Sequence, residues 1–391
     1  MRILITVGLF PPDVGGPATY VPAIAKALAL RGHRVVVVAP QDRAAPCPVA
    51  DPPYRLVRFY RASFLRYANF VLELWRAFAA TLREARGCDV IYCNGLGLPT
   101  AWVSRLVRRP MVVKVVGDES WELAYNRGWT DRYLEKFQQT RGCRIGFIRL
   151  LHHLAARWAK TVIVPSHYLA RIVKGWGVSA GRMCVIYNAF VAPVTTNDDL
   201  PDVPLPARFH EGLRLITVGR LVPLKRTADV ILVIARMEDV RLIVVGDGPQ
   251  AQYLEALVGE QALTDRVLLL GRLSQDRVWS LLARYADVLI LNSIHESLPH
   301  VILEAAYLGV PVVATAVGGI PELLEDEKTG LLISPDSPDG LLTALRRLQG
   351  DSALRLRLSR NARCSVERFG FERMVEQTEH VLEAAAARRV P

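Results

Sequence analysis

Two hydrophobic rhythms alternate along the chain. Short, nearly unbroken apolar runs stop at glycine, proline or a polar cluster: RILITV at residue 2, VVVVAP at 35, CDVIYCNG at 88, PMVVKVVG at 110, TVIVPS at 161 and VIYNAF at 185. Runs of that length, bounded by turn residues, predict strands buried on both faces, as in a parallel sheet. Between them apolar residues recur at helical spacing, first in PATYVPAIAKALALRGH from Pro17. The alternation pauses at VAPVTTNDDLPDVPLPARFHEG, which is rich in Pro, Asp and Thr and has no periodic apolar face. It then resumes with LRLITVGRL, RLIVVGDGP, VLLLGRL, ADVLILNS and GVPVVATAVGG. The pattern predicts an α/β protein of two doubly wound, Rossmann-like domains in tandem rather than one large sheet. The domains are placed at residues 1–195 and 213–370, with 196–212 as the linker.

One stretch of the second domain carries more than packing. From Ile294 to Gly319 the chain reads IHESLPHVILEAAYLGVPVVATAVGG, with Glu296 and Glu304 eight positions apart. On one continuous helix they would diverge by roughly 80°. The spacing fits better if a helix starts between them, with Ser297 as N-cap and Pro299 in the first turn. Glu296 then lies in the loop, and Glu304 sits in an apolar run where its carboxylate needs a hydrogen-bonding partner. The first-turn amides of His300 and Val301 form a positive helix end suited to phosphate. Glutamates at the rim of a sheet with no further role account for the same pattern.

Other strand ends add candidate chemistry. Gly219, Arg220 and Lys225 place two cations beside a glycine, an arrangement suited to a diphosphate. The backbone at Gly271, Arg272 and Leu273 is positioned to meet a base edge. The Gly15–Gly16 turn allows close approach of an anion at a helix start, or is simply a tight turn; it is not the GxGxxG fingerprint. In the first domain Asn94, Asp118 and Glu119 fall at the carboxyl ends of strands, where open parallel sheets bind ligands. Asp118 serves equally well as a helix cap.

Composition narrows the class. The chain has 391 residues, enough for two or three domains, and no apolar stretch approaches a membrane span. The start reads as a buried strand rather than a signal peptide, so a cytoplasmic protein is expected. Six scattered cysteines without a CxxC pair argue against a disulfide framework or a zinc site. The net charge of +11 is uneven: residues 1–205 hold 27 Lys and Arg against 14 Asp and Glu. No nucleic-acid signature accompanies that excess, so nucleic acid is not expected as a partner. Two basic, aromatic stretches, Arg58–Arg86 and Arg132–Lys160, read either as helices lying on an anionic membrane or as ordinary amphipathic helices on a sheet. The adjacent His152 and His153 do not have metal-ligand spacing.

The ordered features VGRL…K, VVGDGP, HESLPHVILEA and GVPVVATAVGGIPE resemble the retaining GT-B glycosyltransferases of family 4, also called glycosyltransferase group 1. The resemblance covers nearly the whole chain. It implies a GT-B fold, two Rossmann-like domains facing across a cleft, with a final helix at about 371–391 packed back on the first domain. It implies that Arg220 and Lys225 grip the diphosphate of a UDP- or GDP-sugar donor, helped by the backbone of Gly15 and Gly16 and by the helix start after Ser297, with Leu298, His300 and Val301. Glu304 would accept the ribose hydroxyls and Glu296 would face the sugar. The activity implied is that of a retaining, metal-independent hexosyltransferase with no cofactor. Its expected acceptor is a glycan or lipid-linked glycan, handled in the cytoplasm or peripherally on the inner membrane face. A nucleotide-sugar 2-epimerase and a transferase with a small soluble acceptor are the alternatives. Where relatives place a histidine near Asn94 and Gly117 this chain has none, and Asp118 is the expected first-domain catalytic group, with Glu119 and Asn94 behind it.

Overall fold

Every apolar run named above becomes a parallel strand except VIYNAF, of which only Val185 lies in one. In a computed structural model, which describes residues 1–13, 16–41, 52–61, 68–140, 142–190 and 200–387, the chain divides into two units. The first comprises Met1–Tyr125, Glu135–Ile186 and Glu372–Pro391, the second Asn126–Leu134 and Tyr187–Phe371.

In the first unit β1 (Arg2–Val7), α1 (Gly16–Leu30), β2 (Arg34–Gln41), β3 (Arg55–Tyr60), α2 (Ala68–Ala85), β4 (Val90–Asn94), α3 (Gly97–Leu106) and β5 (Met111–Lys114) come first. They are followed by α4 (Glu119–Asn126), α5 (Leu134–Phe137), α6 (Cys143–Trp158), β6 (Thr161–Val164), α7 (His167–Gly175) and β7 (Met183–Val185). Among the described residues the strands form one sheet in the order β3-β2-β1-β4-β5-β6-β7. The second unit runs β8 (Leu213–Val218), α8 (Thr227–Ala235), β9 (Val240–Val245), α9 (Ala251–Glu260), β10 (Val267–Leu269), α10 (Gln275–Arg284) and β11 (Val288–Leu291). It closes with α11 (His300–Leu308), β12 (Val312–Thr315), α12 (Ile320–Leu323), β13 (Leu331–Ile333), α13 (Pro338–Gly350) and α14 (Ser352–Ser365). Its sheet order is β10-β9-β8-β11-β12-β13. The last helix, α15 (Phe371–Ala387), belongs from Glu372 onward to the first unit. There Arg31 pairs with Glu372 at 2.8 Å and with Glu379 at 2.7 Å, and Lys160 Nζ donates to the Ala385 carbonyl.

Strands β4, β5, β11 and β12 are buried at every residue, which is why they read as continuous apolar runs. Two sequence expectations change. Arg58–Arg86 is not one helix: Arg58, Phe59 and Tyr60 complete the edge strand β3, in register with Ala39, Pro40 and Gln41 of β2. The expected linker is largely built into the second unit, because Val203 and Phe209 lie in its core. Residues 196–199 are outside the described residues, and the units divide after Ile186 rather than after residue 195.

Both sheets share one device. The first strand of each lies between the second and the fourth, so the chain winds away in opposite directions on either side of it. The strand ends splay at that switch point, and the carboxyl ends of β1 and β4, and of β8 and β11, become the places where a ligand fits. In the first unit the backbones close up there: a Cβ on Gly95, whose φ is +122°, would sit 2.5 Å from the Gly8 nitrogen. Gly95→Ala is therefore expected to destabilise the protein by about 2 kcal/mol or more, read from the urea midpoint of the first unfolding transition. An unchanged midpoint would show that the Gly8 turn yields freely.

Candidate functional site

The second unit's switch point carries the charge. After β8, Gly219 leads to Arg220, and a short 3-10 turn, Pro223–Lys225, swings the lysine back so that its side chain runs over Gly219. After β11, Ser293 is fully buried and its Oγ donates to Glu296 Oε1 at 2.7 Å. Lys225 Nζ forms an ion pair with the same carboxylate oxygen. A backbone hydrogen bond from Ile294 to the Leu224 carbonyl, 2.9 Å, fastens the two loops together. Arg220 is exposed, and its side chain has no hydrogen-bonding or ionic partner among the described residues.

Glycines shape the walls. A Cβ on Gly246, with φ +142°, would meet the Gly219 carbonyl oxygen at 1.9 Å, so the β9 end can press on the cationic loop only as glycine. On the other side Gly318, with φ +59°, lies against the Glu296 backbone, and Gly319 N donates to the Glu296 carbonyl at 2.9 Å. The glycine pair after β12 thus fixes the loop that presents Glu296.

Helix α11 begins at His300, with Pro299 in the N-cap position at φ −76°, ψ 121° and no side-chain cap. The Ser297 cap expected from the sequence is not formed. Proline drives the residue before it into extended backbone, so the helix cannot reach back to be capped from Ser297. The first turn of α11 presents a positive helix end suited to an anion. Leu298 is a core side chain, 5% exposed, and can offer a ligand only its backbone. Glu304, one turn into α11, accepts from Gln275 Nε2 at 2.8 Å, beside the Trp279 indole, and burial raises its pKa to about 7. Gly271, Arg272 and Leu273 end β10, and the Gly271 carbonyl accepts from Gly246 N, which ties that loop to the same carboxyl edge. Sequence reasoning missed Ser293 and Gln275. Neither stands out along the chain, because each acts only through the glutamate it meets in space.

The first unit differs. Gly16 opens α1, and Gly15 lies outside the described residues. Asp118, the expected catalytic group, is 1% exposed and caps α4, accepting from Ser120 N at 3.0 Å and Trp121 N at 3.1 Å. Gln138 Nε2 donates to its other oxygen at 2.8 Å, and His153 approaches that oxygen at 3.6 Å. Burial alone would raise its pKa, but these partners hold it down to about 2. A carboxylate so enclosed and so fully engaged is a structural cap, and the catalytic expectation for it is corrected here. Glu119 is exposed and pairs with His152, while Asn94 is buried at the end of β4. Beside Asn94, at the end of β5, stands a group the sequence did not single out. Lys114 is buried, with Nζ 3.7 Å from the Tyr20 ring centroid and no hydrogen-bond partner among the described residues, and burial lowers its pKa to about 7. Away from the strand ends, His33, Glu379 and Glu383 bring ligand-type atoms within 4.8 Å of one another, with His33 Nε2 already 2.6 Å from Glu379.

Two doubly wound units with a cation-bearing switch point define the GT-B class, and solved structures agree. The chain superposes on sucrose-phosphate synthase from Thermosynechococcus elongatus with a TM-score of 0.77 at 22% identity, covering 99% of both chains. Anabaena HepE in complex with UDP-glucose gives 0.75 at 22%, covering 98% of this chain and all of that one. Two family models match, a glycosyl transferase 4-like domain over residues 15–189 and glycosyl transferases group 1 over residues 206–364. The chain belongs to the group 1 glycosyltransferases. It is 29% identical to an uncharacterized glycosyltransferase of Methanocaldococcus jannaschii across 98% of each. It is 37% identical over 171 residues to the N-acetyl-alpha-D-glucosaminyl L-malate synthase of Bacillus anthracis, a match spanning 43% of this chain and less than half, 44%, of that protein. A lipopolysaccharide core biosynthesis glycosyltransferase of Rhizobium meliloti is 34% identical over 158 residues, 40% of this chain and 44% of that one.

Lys114 supplies a test of the electrostatics. An amine whose folded pKa lies below its unfolded value favours folding only when neutral, so that stability is complete above the unfolded pKa and is lost as pH falls toward 7. Lys114→Met should therefore raise stability at pH 7 by about 1–3 kcal/mol, with the gain vanishing near pH 10.5. Denaturation curves across that range check it, and a destabilised variant at pH 7 would mean the ammonium has an anionic partner.

Proposed function

We propose that this protein transfers a hexose, with retention of anomeric configuration and without a metal, from a UDP- or GDP-sugar to a hydroxyl of a glycan or lipid-linked acceptor. The observation that carries the reading is the pairing of Lys225 with Glu296 at the second unit's switch point, beside an unpartnered Arg220. As a glycosidic bond to diphosphate breaks, negative charge grows on the departing oxygens. Preset cations and helix amides stabilise that charge more than they stabilise the bound donor, and this difference lowers the barrier. Arg220 offers a planar fork, Lys225 a point charge and α11 its first amides, so the leaving group is neutralised without a divalent ion.

The remaining residues are arranged around that charge. Glu304, which Gln275 holds, accepts hydrogen bonds from the two ribose hydroxyls. The backbone of Gly271, Arg272 and Leu273 lies along the base, while Ser297, Leu298, His300 and Val301 border the phosphates. When the diphosphate takes Lys225, the Glu296 carboxylate is released toward the sugar. UDP-glucose bound to HepE supports a nucleotide-sugar donor, and the lipopolysaccharide core relative supports a glycan acceptor. On the acceptor side Asn94 and Glu119 are retained, and the buried Lys114 is added.

Thermal shift against a panel of nucleotide sugars, followed by NMR of the product's anomeric proton, tests the reading. An inverted product would overturn retention, and activity abolished by EDTA would overturn metal independence. Arg220→Ala is expected to lower turnover by about two to three orders of magnitude, by analogy with losing one donor to a developing anion, and near-normal turnover would sink its assigned role. Glu304→Gln should weaken donor binding roughly tenfold to a hundredfold. The wild-type affinity should also fall as pH drops through about 7, because only the carboxylate accepts both hydroxyls. Calorimetry that shows the same pH dependence in the glutamine variant would remove Glu304 from the ribose.

A further inference from the structure

One face of the first unit's helical layer lies outside the residues assigned to sugar transfer. Helix α3 packs between α2 and α6. On the outer side of α2 and α3 lies an open groove of about 240 Å³, lined by Val71, Leu74, Trp75, Phe78, Leu98 and Trp102 and almost wholly apolar. Trp75 and Trp102 stand 64% and 53% exposed at this groove, and Leu106, Phe147 and Leu150 continue the apolar surface along α3 and α6. Isolated exposed apolar residues are ordinary, but a contiguous groove bearing two tryptophans marks a contact surface.

The charges around the groove say what makes the contact. Helices α3 and α6 carry no acidic residue, while Arg105, Arg108 and Arg109 gather at the end of α3. Of the two acids on α2, Glu84 is already paired with Arg55. A slot for hydrocarbon, amphipathic indoles at its rim and a basic surround match an anionic phospholipid surface. There the arginines meet phosphates and the indoles sit at headgroup depth. Among the described residues no helix is long and apolar enough to cross a membrane, so such a contact is peripheral.

We propose that the α2–α3–α6 face docks on an anionic bilayer, with one acyl chain seated in the groove between Trp75 and Trp102. The contact is independent of the donor chemistry, since none of these residues is among those assigned to the donor.

Sedimentation of the full-length protein with phosphatidylglycerol vesicles tests it, with phosphatidylcholine vesicles alongside. Binding to the anionic vesicles that weakens with salt, with quenching of tryptophan fluorescence by acyl-brominated phosphatidylglycerol, is the expected result. Trp75→Ser/Trp102→Ser should lower that binding roughly tenfold or more while leaving nucleotide-sugar binding and the unfolding midpoint unchanged. The quenching measurement needs no variant, so a double variant that folds poorly does not spare the proposal. Absence of vesicle binding, binding unaffected by the double substitution, or a lipid-free dimer that this substitution dissociates would each overturn it. None of these outcomes bears on sugar transfer, which the donor assays decide separately.

Discussion

The ion pair between Lys225 and Glu296 is the contact on which the site depends. It joins the loops after β8 and β11, the two strands between which the second unit's winding reverses. Most of the local oddities serve it. Ser293 is buried to hold the carboxylate, Gly318 has no side chain because the Glu296 backbone fills that space, and Gly246 leaves room for the loop from which Lys225 reaches across. A cation stored against the site's own carboxylate leaves neither charge uncompensated. In the transfer proposed above, a diphosphate replaces the carboxylate at Lys225, and the freed carboxylate orients the sugar.

The first unit repeats the winding without the charges. Its switch point closes through the touching backbones of Gly8 and Gly95, and Asp118 and Lys114 nearby are buried rather than displayed. Asp118 spends its oxygens on α4 and on Gln138, and Lys114 lies over Tyr20 as a group that burial holds near neutrality. The same architecture is thus used in two ways. One edge gathers Arg220 and Lys225, and the other covers Asp118 and Lys114.

What could be read from the chain follows from where each signal resides. Strands buried on both faces announce themselves as apolar runs, so the paired α/β architecture and the carboxyl-edge loops were legible, with Arg220, Lys225 and Glu296 on them and Glu304 in the helix that follows. Residues whose role depends on a distant partner were not. Ser293 matters because Glu296 folds back onto it, Gln275 because α10 brings it to Glu304, and His153 because α6 carries it to Asp118. The Ser297 cap failed for a local reason, since Pro299 fixes the backbone before it. The edge strand β3 was absorbed into a helix because RLVRFY, half-exposed and rich in arginine, lacks the apolar continuity of the inner strands. Asp118 looked catalytic because a carboxylate at a strand end has the same sequence signature whether it caps a helix or faces a ligand.

Exchange at Lys225 is the central claim, and calorimetric titration of a nucleoside diphosphate such as UDP into Glu296→Gln tests it most directly. Removing the carboxylate frees the lysine, so the variant should bind the diphosphate at least as tightly as the wild type while sugar transfer collapses. A loss of diphosphate affinity comparable to that of Lys225→Ala would contradict the exchange and make the ion pair a structural strut.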